Sequence, residues 1–271
     1  RQILQWAKAL RVEPEEIVRR MESEKNTFAV IDGKIDSLVW NFELLRITNF
    51  EWLSGLSITK LIFKGVSQKS PNLSLRLKSL IWLECSNIGL NQLDLSNVPA
   101  LTTLDCDENQ LTELNLSNVP ALTHLDCREN QLTGLNLSNV PALTKLYCEN
   151  NPLTKLDLSN VPELTGLYCA MNQLTELNLS NVPGLAWLWC WTNQLTELDL
   201  SNVPALTKLL CADNQLTGLD LTNVPELTVL HCEENQLTEL DLRRLKAPNP
   251  SLIFDVSVTI RKRSNQSVRE Q

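Results

Sequence analysis

Residues 101–121 read LTTLDCDENQLTELNLSNVPA, and this one stretch decides the fold. It divides into a ten-residue half, LTTLDCDENQ, and an eleven-residue half, LTELNLSNVPA, each opening on the pattern L-T-x-L-x-(C/L). Apolar and polar residues alternate within each half, the mark of a short β-strand with one face buried. That pattern turns Leu101, Leu104, Cys106, Leu111, Leu114, Leu116 and Val119 inward. One such coil buries too little apolar surface to offset the entropy of ordering its backbone. Stacked coils can fold, because they share buried faces and hydrogen bonds.

The chain's eight cysteines extend the pattern outward: Cys85, Cys106, Cys127, Cys148, Cys169, Cys190, Cys211 and Cys232, each 21 residues after the last. Disulfide frameworks and metal sites pair cysteines at short, unequal spacings. A constant interval instead marks one structural position repeated along a solenoid, so reduced, inward-facing thiols are expected. Asn109, Asn130, Asn151, Asn172, Asn193, Asn214 and Asn235 each follow a Cys by three residues. A second series, Asn97, Asn118, Asn139, Asn160, Asn181, Asn202 and Asn223, precedes each Val-Pro. Asn amides satisfy backbone groups at turns, so both series read as ladders closing the corners of the coil.

The segment L-x-x-L-x-C-x-x-N-x-L resembles the leucine-rich-repeat signature, with Cys where Leu is commoner. The 21-residue length with two nested halves is similar to the short bacterial repeats of the IRREKO type. Eight Cys-bearing coils carry the resemblance over about residues 80–245. It implies a β-rich, right-handed repeat solenoid with parallel strands and a binding surface on the strand face, but no single activity. Two short strands per coil are expected from the two alternating halves.

Both ends depart from the repeat. Residues 1–27 are assigned to a helical cap, because Ile17, Val18 and Met21 form an apolar stripe after Pro14. Residues 28–79 are assigned to two degenerate coils, on Ile35, Leu38 and Trp40 and then Ile58, Leu61 and Phe63. Residues 246–271 are assigned to a closing strand, on the alternation of Leu252, Phe254, Val256, Val258 and Ile260, followed by a frayed tail.

Positions that vary within a fixed frame are free of the stacking constraint. The columns beside the cysteines vary most. Trp187, Trp189 and Trp191 share one strand; Tyr168 and Tyr147 continue the row, with Met171 and Leu210 flanking it. Such aromatic residues at outward strand positions mark a contact surface. Asp105, Asp107, Glu108, Asp126, Glu129 and Glu149 form an acidic rim that would steer a basic partner. The other half of the coil carries only Asp or Asn in its exposed column, from Asp94 to Asp241, which reads as a solvated face rather than a calcium site.

The net charge of −8 argues against nucleic-acid binding, and no apolar run reaches the ~18 residues of a membrane span. No phosphate loop, nucleophile elbow or metalloprotease motif is present. His124 and His231 lie five coils apart, too far to act as a pair. The sequence thus points away from an enzyme, with no cofactor, no metal and no catalytic residue. It points to a module or scaffold binding a protein or peptide with apolar and basic groups. A carbohydrate-binding surface, self-association, or the recognition half of a larger effector are the alternatives. Buried thiols favour a cytoplasmic setting over a cell-surface or secreted one. The chain begins at Arg1, so the lack of a leader carries no information.

Overall fold

The computed structural model describes residues 27–31, 34–41, 57–65, 72–247 and 250–263. The chain falls into two compact units, residues 1–131 and 132–271. The first holds β1 (Thr27–Ile31), β2 (Lys34–Asn41), β3 (Lys60–Lys64), β4 (Asn72–Ser74), β5 (Trp82–Glu84), β6 (Gln92–Asp94), β7 (Thr103–Asp105) and β8 (His124–Asp126). The second holds β9 (Lys145–Tyr147), β10 (Gly166–Tyr168), β11 (Trp187–Trp189), β12 (Lys208–Leu210), β13 (Val229–His231), β14 (Glu239–Asp241), β15 (Ser251–Ile253) and β16 (Thr259–Arg261).

The strand before each cysteine forms because its central Leu and the Cys two residues later must face the same side. Strands pair in parallel with those leucines in register: Leu83, Leu104 and Leu125 in the first unit, and Leu146, Leu167, Leu188, Leu209 and Leu230 in the second. The ladder runs past the strand, since the Cys106 N–H donates to Asp126 O at 2.8 Å and the Glu108 N–H to Arg128 O at 3.0 Å. All eight cysteines are buried and unpaired. Burial pushes the thiols of Cys85, Cys106, Cys169, Cys190, Cys211 and Cys232 towards the protonated form, in Cys232 up to about 12.

Each strand ends in a left-handed corner. Asn87, Glu108, Glu129, Asn150, Met171, Thr192, Asp213 and Glu234 all have φ between 50° and 55°. The Asn that follows turns inward and ties two coils together. Asn130 donates through Nδ2 to the carbonyls of Cys127 and Arg128 in its own coil and of Cys106 in the coil before. Its Oδ1 accepts the Leu111 N–H at 3.0 Å. Asn109, Asn172 and Asn214 repeat these bonds. The Val-Pro series behaves differently: Asn118, Asn139, Asn160 and Asn202 donate only to the Ser of their own coil. Only the first Asn series is an inter-coil ladder.

The repeat continues into the degenerate segment, where Leu38 pairs with Leu61, Trp40 with Phe63, and Leu61 with Leu83. An antiparallel hairpin partner, β1, lies outside β2. The helical cap expected over residues 1–27 lies outside the described residues except at Thr27, which opens β1; no helix occurs among the described ones.

Two expectations are corrected. Among the described residues, strands in the second half of the coil occur only as the pairs β4–β6 and β14–β16, so most coils carry one strand rather than two. The reason lies in where the side chains bond. In the repeated coils Asn115, Asn136, Asp157, Asn178 and Asp199 each accept the N–H two residues on in their own coil. The same local bond forms at Asp94 and Asp241, the last residues of β6 and β14, so it does not by itself exclude a ladder. Where the second halves do pair, side chains tie them across, Ser74 to Asp94 and Arg261 to Glu239.

The closing segment is not one strand either. Strand β15 pairs with β13 and β16 with β14, and Val256 between them is 100% exposed. The alternation from Leu252 to Ile260 belongs to one more coil, bent by a turn in which the Val258 N–H donates to Asp255 O.

Replacing Asn130 by Ala orphans the Leu111 N–H and removes a donor from three carbonyls. The expected loss is about 2–3 kcal/mol, read as a lower urea midpoint. Thr192 is a β-branched residue held in the left-handed region, where L-residues are disfavoured by roughly 1–2 kcal/mol. Asn suits that backbone, and Asn87 at the equivalent corner donates to Glu108 as Thr192 donates to Asp213. Thr192→Asn is expected to raise stability by about 0.5–1 kcal/mol in the same titration.

Candidate functional site

The outward side chains of β9, β10 and β11 carry the aromatic row. Parallel pairing puts Tyr147 beside Tyr168, Tyr168 beside Trp189, and Trp189 beside Leu210. The Tyr147 and Tyr168 rings stack at 4.3 Å with planes 10° apart. Tyr168 meets Trp189 edge to face at 4.7 Å. Tyr168 is therefore only 8% exposed although it stands on the outer face. Burial, with Tyr147 and Glu149 adding to it, pushes its phenol up to about 12, so the hydroxyl keeps its proton.

Trp187, Trp189 and Trp191 are half-buried, as are Tyr147 and Leu210. None of these rings enters the core, which the inward Leu188 and Cys190 fill, but Trp191 lies beyond the end of β11 and not on one strand with the other two as expected. Met171 is 44% exposed but sits at a left-handed corner, not on the strand as its column suggested. In its own column Trp191 stands between Ala170 and Ala212, with which its coil shares backbone hydrogen bonds one residue on.

Sequence reasoning does not single out Gly166, yet it shapes the row. A Cβ there would lie 3.1 Å from Cε2 of Tyr168 and 3.5 Å from Cε3 of Trp187. The missing side chain lets the Tyr168 ring lie down on the sheet. It also opens the gap across which the Lys145 ammonium reaches the Trp187 ring, 5.6 Å from its centroid. The available signal is a glycine in a column that elsewhere carries Trp82, Thr103, His124, Lys145, Trp187, Lys208 and Val229. The Trp189 Nε1 donor is buried without an acceptor among the described residues.

The chain matches many solved repeat structures. The functional domain of InlJ from Listeria monocytogenes, which includes a cysteine ladder, superposes with a TM-score of 0.60 and 31% identity over 83% of this chain and 53% of that one. The leucine-rich effector protein YopM from Yersinia pestis gives 0.62 and 31% over 74% of this chain and 55% of that one. This chain is a leucine-rich-repeat protein. The leucine-rich-repeat domain of APL1B shares the fold, with a TM-score of 0.64 at 21% identity. The leucine-rich-repeat chain spans about half the length of the InlJ and YopM structures. No family model matches the sequence, and no curated protein matches it significantly.

The acidic rim of this leucine-rich-repeat protein does not gather as one cluster. Asp105, Asp107 and Asp126, all in the first unit, bring one oxygen each to within 4.8 Å of one another, an arrangement that could hold a cation. Arg128 already serves them, with Nε and Nη2 on Asp126 at 2.9 and 2.6 Å and Nη2 3.8 Å from Asp107. Glu108 and Glu129 stand at left-handed corners, and Glu149 belongs to the second unit. The aromatic side chains are thus brought together, while the rim is split and partly neutralised.

Asp105 is pushed up to about 6 by burial, outweighing the Ser86 hydroxyl that donates to it, with Asp107 and Asp126 adding to the rise. A folded value above the ordinary 3.8 means the fold favours the protonated acid. Its contribution to stability is full below pH 3.8 and is lost as pH rises through about 6. Asp105→Asn keeps an acceptor for Ser86 and removes the charge. Its melting temperature is expected to exceed that of the native protein at pH 7.5, and the gap is expected to shrink at pH 4.

Proposed function

We propose that this leucine-rich-repeat module binds a protein or peptide through the aromatic row of its second unit. The observation that carries this reading is that Trp187, Trp189 and Trp191 stand outside the core and only half-buried, beside the Tyr147–Tyr168 stack, while the repeat leaves that face unconstrained. Rings locked against one another lose little entropy when a partner settles on them, and Trp and Tyr are the residue types that most often dominate binding energy. Met171 and Leu210 extend the apolar contact. Glu149 offers a carboxylate to a basic group beside the row, and the carboxylates of the first unit raise the encounter rate with a basic partner.

Ring packing favours a polypeptide over a sugar. Carbohydrate recognition uses an open aromatic face, but Tyr168 is covered by Tyr147 on one side and met by Trp189 on the other. What remains exposed is edges and the outer indoles, which suit apolar side chains.

The test is binding of the native module and of its Trp187→Ala, Trp189→Ala, Trp191→Ala triple variant to a partner selected with the native module, followed by calorimetry. Truncating a central aromatic cluster is expected to weaken affinity by roughly thirtyfold or more, and added salt is expected to weaken the native complex. Equal affinity of the triple variant for that partner removes the aromatic row from the site. Binding to a glycan array but to no polypeptide would favour the sugar reading.

A further inference from the structure

The eighth cysteine-bearing coil breaks the repeat in a way that stacking does not require. Seven coils turn this corner with Ser-Asn-Val-Pro or Thr-Asn-Val-Pro, from Ser96–Pro99 to Thr222–Pro225; the eighth reads Arg243-Arg244-Leu245-Lys246. The backbone is the same. The Arg243 N–H donates to Asp241 Oδ1 as the Thr222 N–H does to Asp220. The Leu245 N–H donates to Leu242 O as the Val224 N–H does to Leu221 O. Leu245 is buried where the valines are. Three new cations therefore answer to something other than the frame.

Two of them converge with a third cation from just beyond β16. Arg243, Arg244 and Arg263 line one concavity with Asp241. Arg243 lies along Asp241, Nε to Oδ1 at 2.9 Å and Nη2 to Oδ2 at 2.6 Å, a pairing that leaves further guanidinium donors unspent. Arg263 is drawn to the corner by donating Nε to the Arg243 carbonyl at 2.6 Å. Arg244 is exposed, and no ion pair or hydrogen bond holds it among the described residues. Lys246 points elsewhere, to Glu226. Three guanidiniums and one carboxylate line this concavity, in a chain whose net charge is −8.

We propose that this corner binds a phosphate or sulfate group, held by Arg243, Arg244 and Arg263. Planar guanidinium forks match tetrahedral oxyanions with paired hydrogen bonds. A charged edge that merely discouraged end-to-end stacking would need neither one sign nor convergence on a concavity. The site uses none of the aromatic side chains and stands or falls apart from the function proposed above.

The experiment uses the full chain and an Arg244→Asn, Arg263→Gln double variant, with Arg243 kept because it holds Asp241. Asn at 244 restores the residue that seven coils carry, so the variant is expected to melt as the native chain does. Calorimetric titrations with sodium sulfate and sodium phosphate, at ionic strength fixed with sodium chloride, are run beside sedimentation with equimolar phosphatidylcholine–phosphatidylserine vesicles. Saturable sulfate or phosphate binding weakened roughly tenfold or more in the double variant assigns the site to free anions or to such groups on a larger ligand. Vesicle binding alone, lost in the double variant, assigns it to the lipid headgroup phosphate. No binding of any probe, or binding that persists in the double variant, overturns the proposal.

Discussion

A three-residue strand is too short to hold its place by its own ladder, and the Asn three residues after each cysteine makes up the difference. One buried amide donates to carbonyls of its own coil and of the coil before, while its oxygen accepts an N–H from the coil before. It satisfies the backbone where the chain leaves the sheet and turns into the core, the place at which a buried polar group would otherwise be orphaned. The left-handed residue just before it follows from the same demand: the chain must reverse sharply for the amide to point inward. That requirement holds even at Thr192, where the side chain resists it.

Because this frame is identical from coil to coil, it leaves the outward columns free, and chemistry accumulates there. Gly166 shows how one omission organises its neighbours, letting Tyr168 lie against the sheet and Lys145 reach Trp187. The acidic columns show the opposite effect. Burial, with like charges stacked in register beside it, pushes Asp105 towards its protonated form despite the Ser86 hydroxyl, while Arg128 pairs with Asp126. In-register stacking repeats every side chain at the strand spacing, so it concentrates either attraction or repulsion.

Towards the C-terminal end of the array the side chains depart from the repeat while the stacking continues into one more coil. Arg261 and Glu239 tie the closing second-half strands. The Ser-Asn-Val-Pro corner gives way to Arg-Arg-Leu-Lys while its backbone bonds persist. A corner whose backbone bonds are kept can change its side chains without disturbing the stack.

The 21-residue interval by itself determined which side chains face inward, that the cysteines stay unpaired, and that equivalent residues stand in register; each is observed, from Leu83 beside Leu104 to Leu209 beside Leu230. Periodicity carries that information because every coil solves the same burial problem. Tertiary structure alone decided that the column two residues past the cysteine is a left-handed corner, which moved Met171, Glu108 and Glu129 off the strand face. It also decided that the second half of most coils forms no ladder, and that the apparent closing strand is another coil. So too with the Tyr147–Tyr168 stack and the Arg128 bridge. These outcomes depend on how far a side chain reaches and whether it bonds within its coil or to the next. A pattern of residue types along one chain records neither.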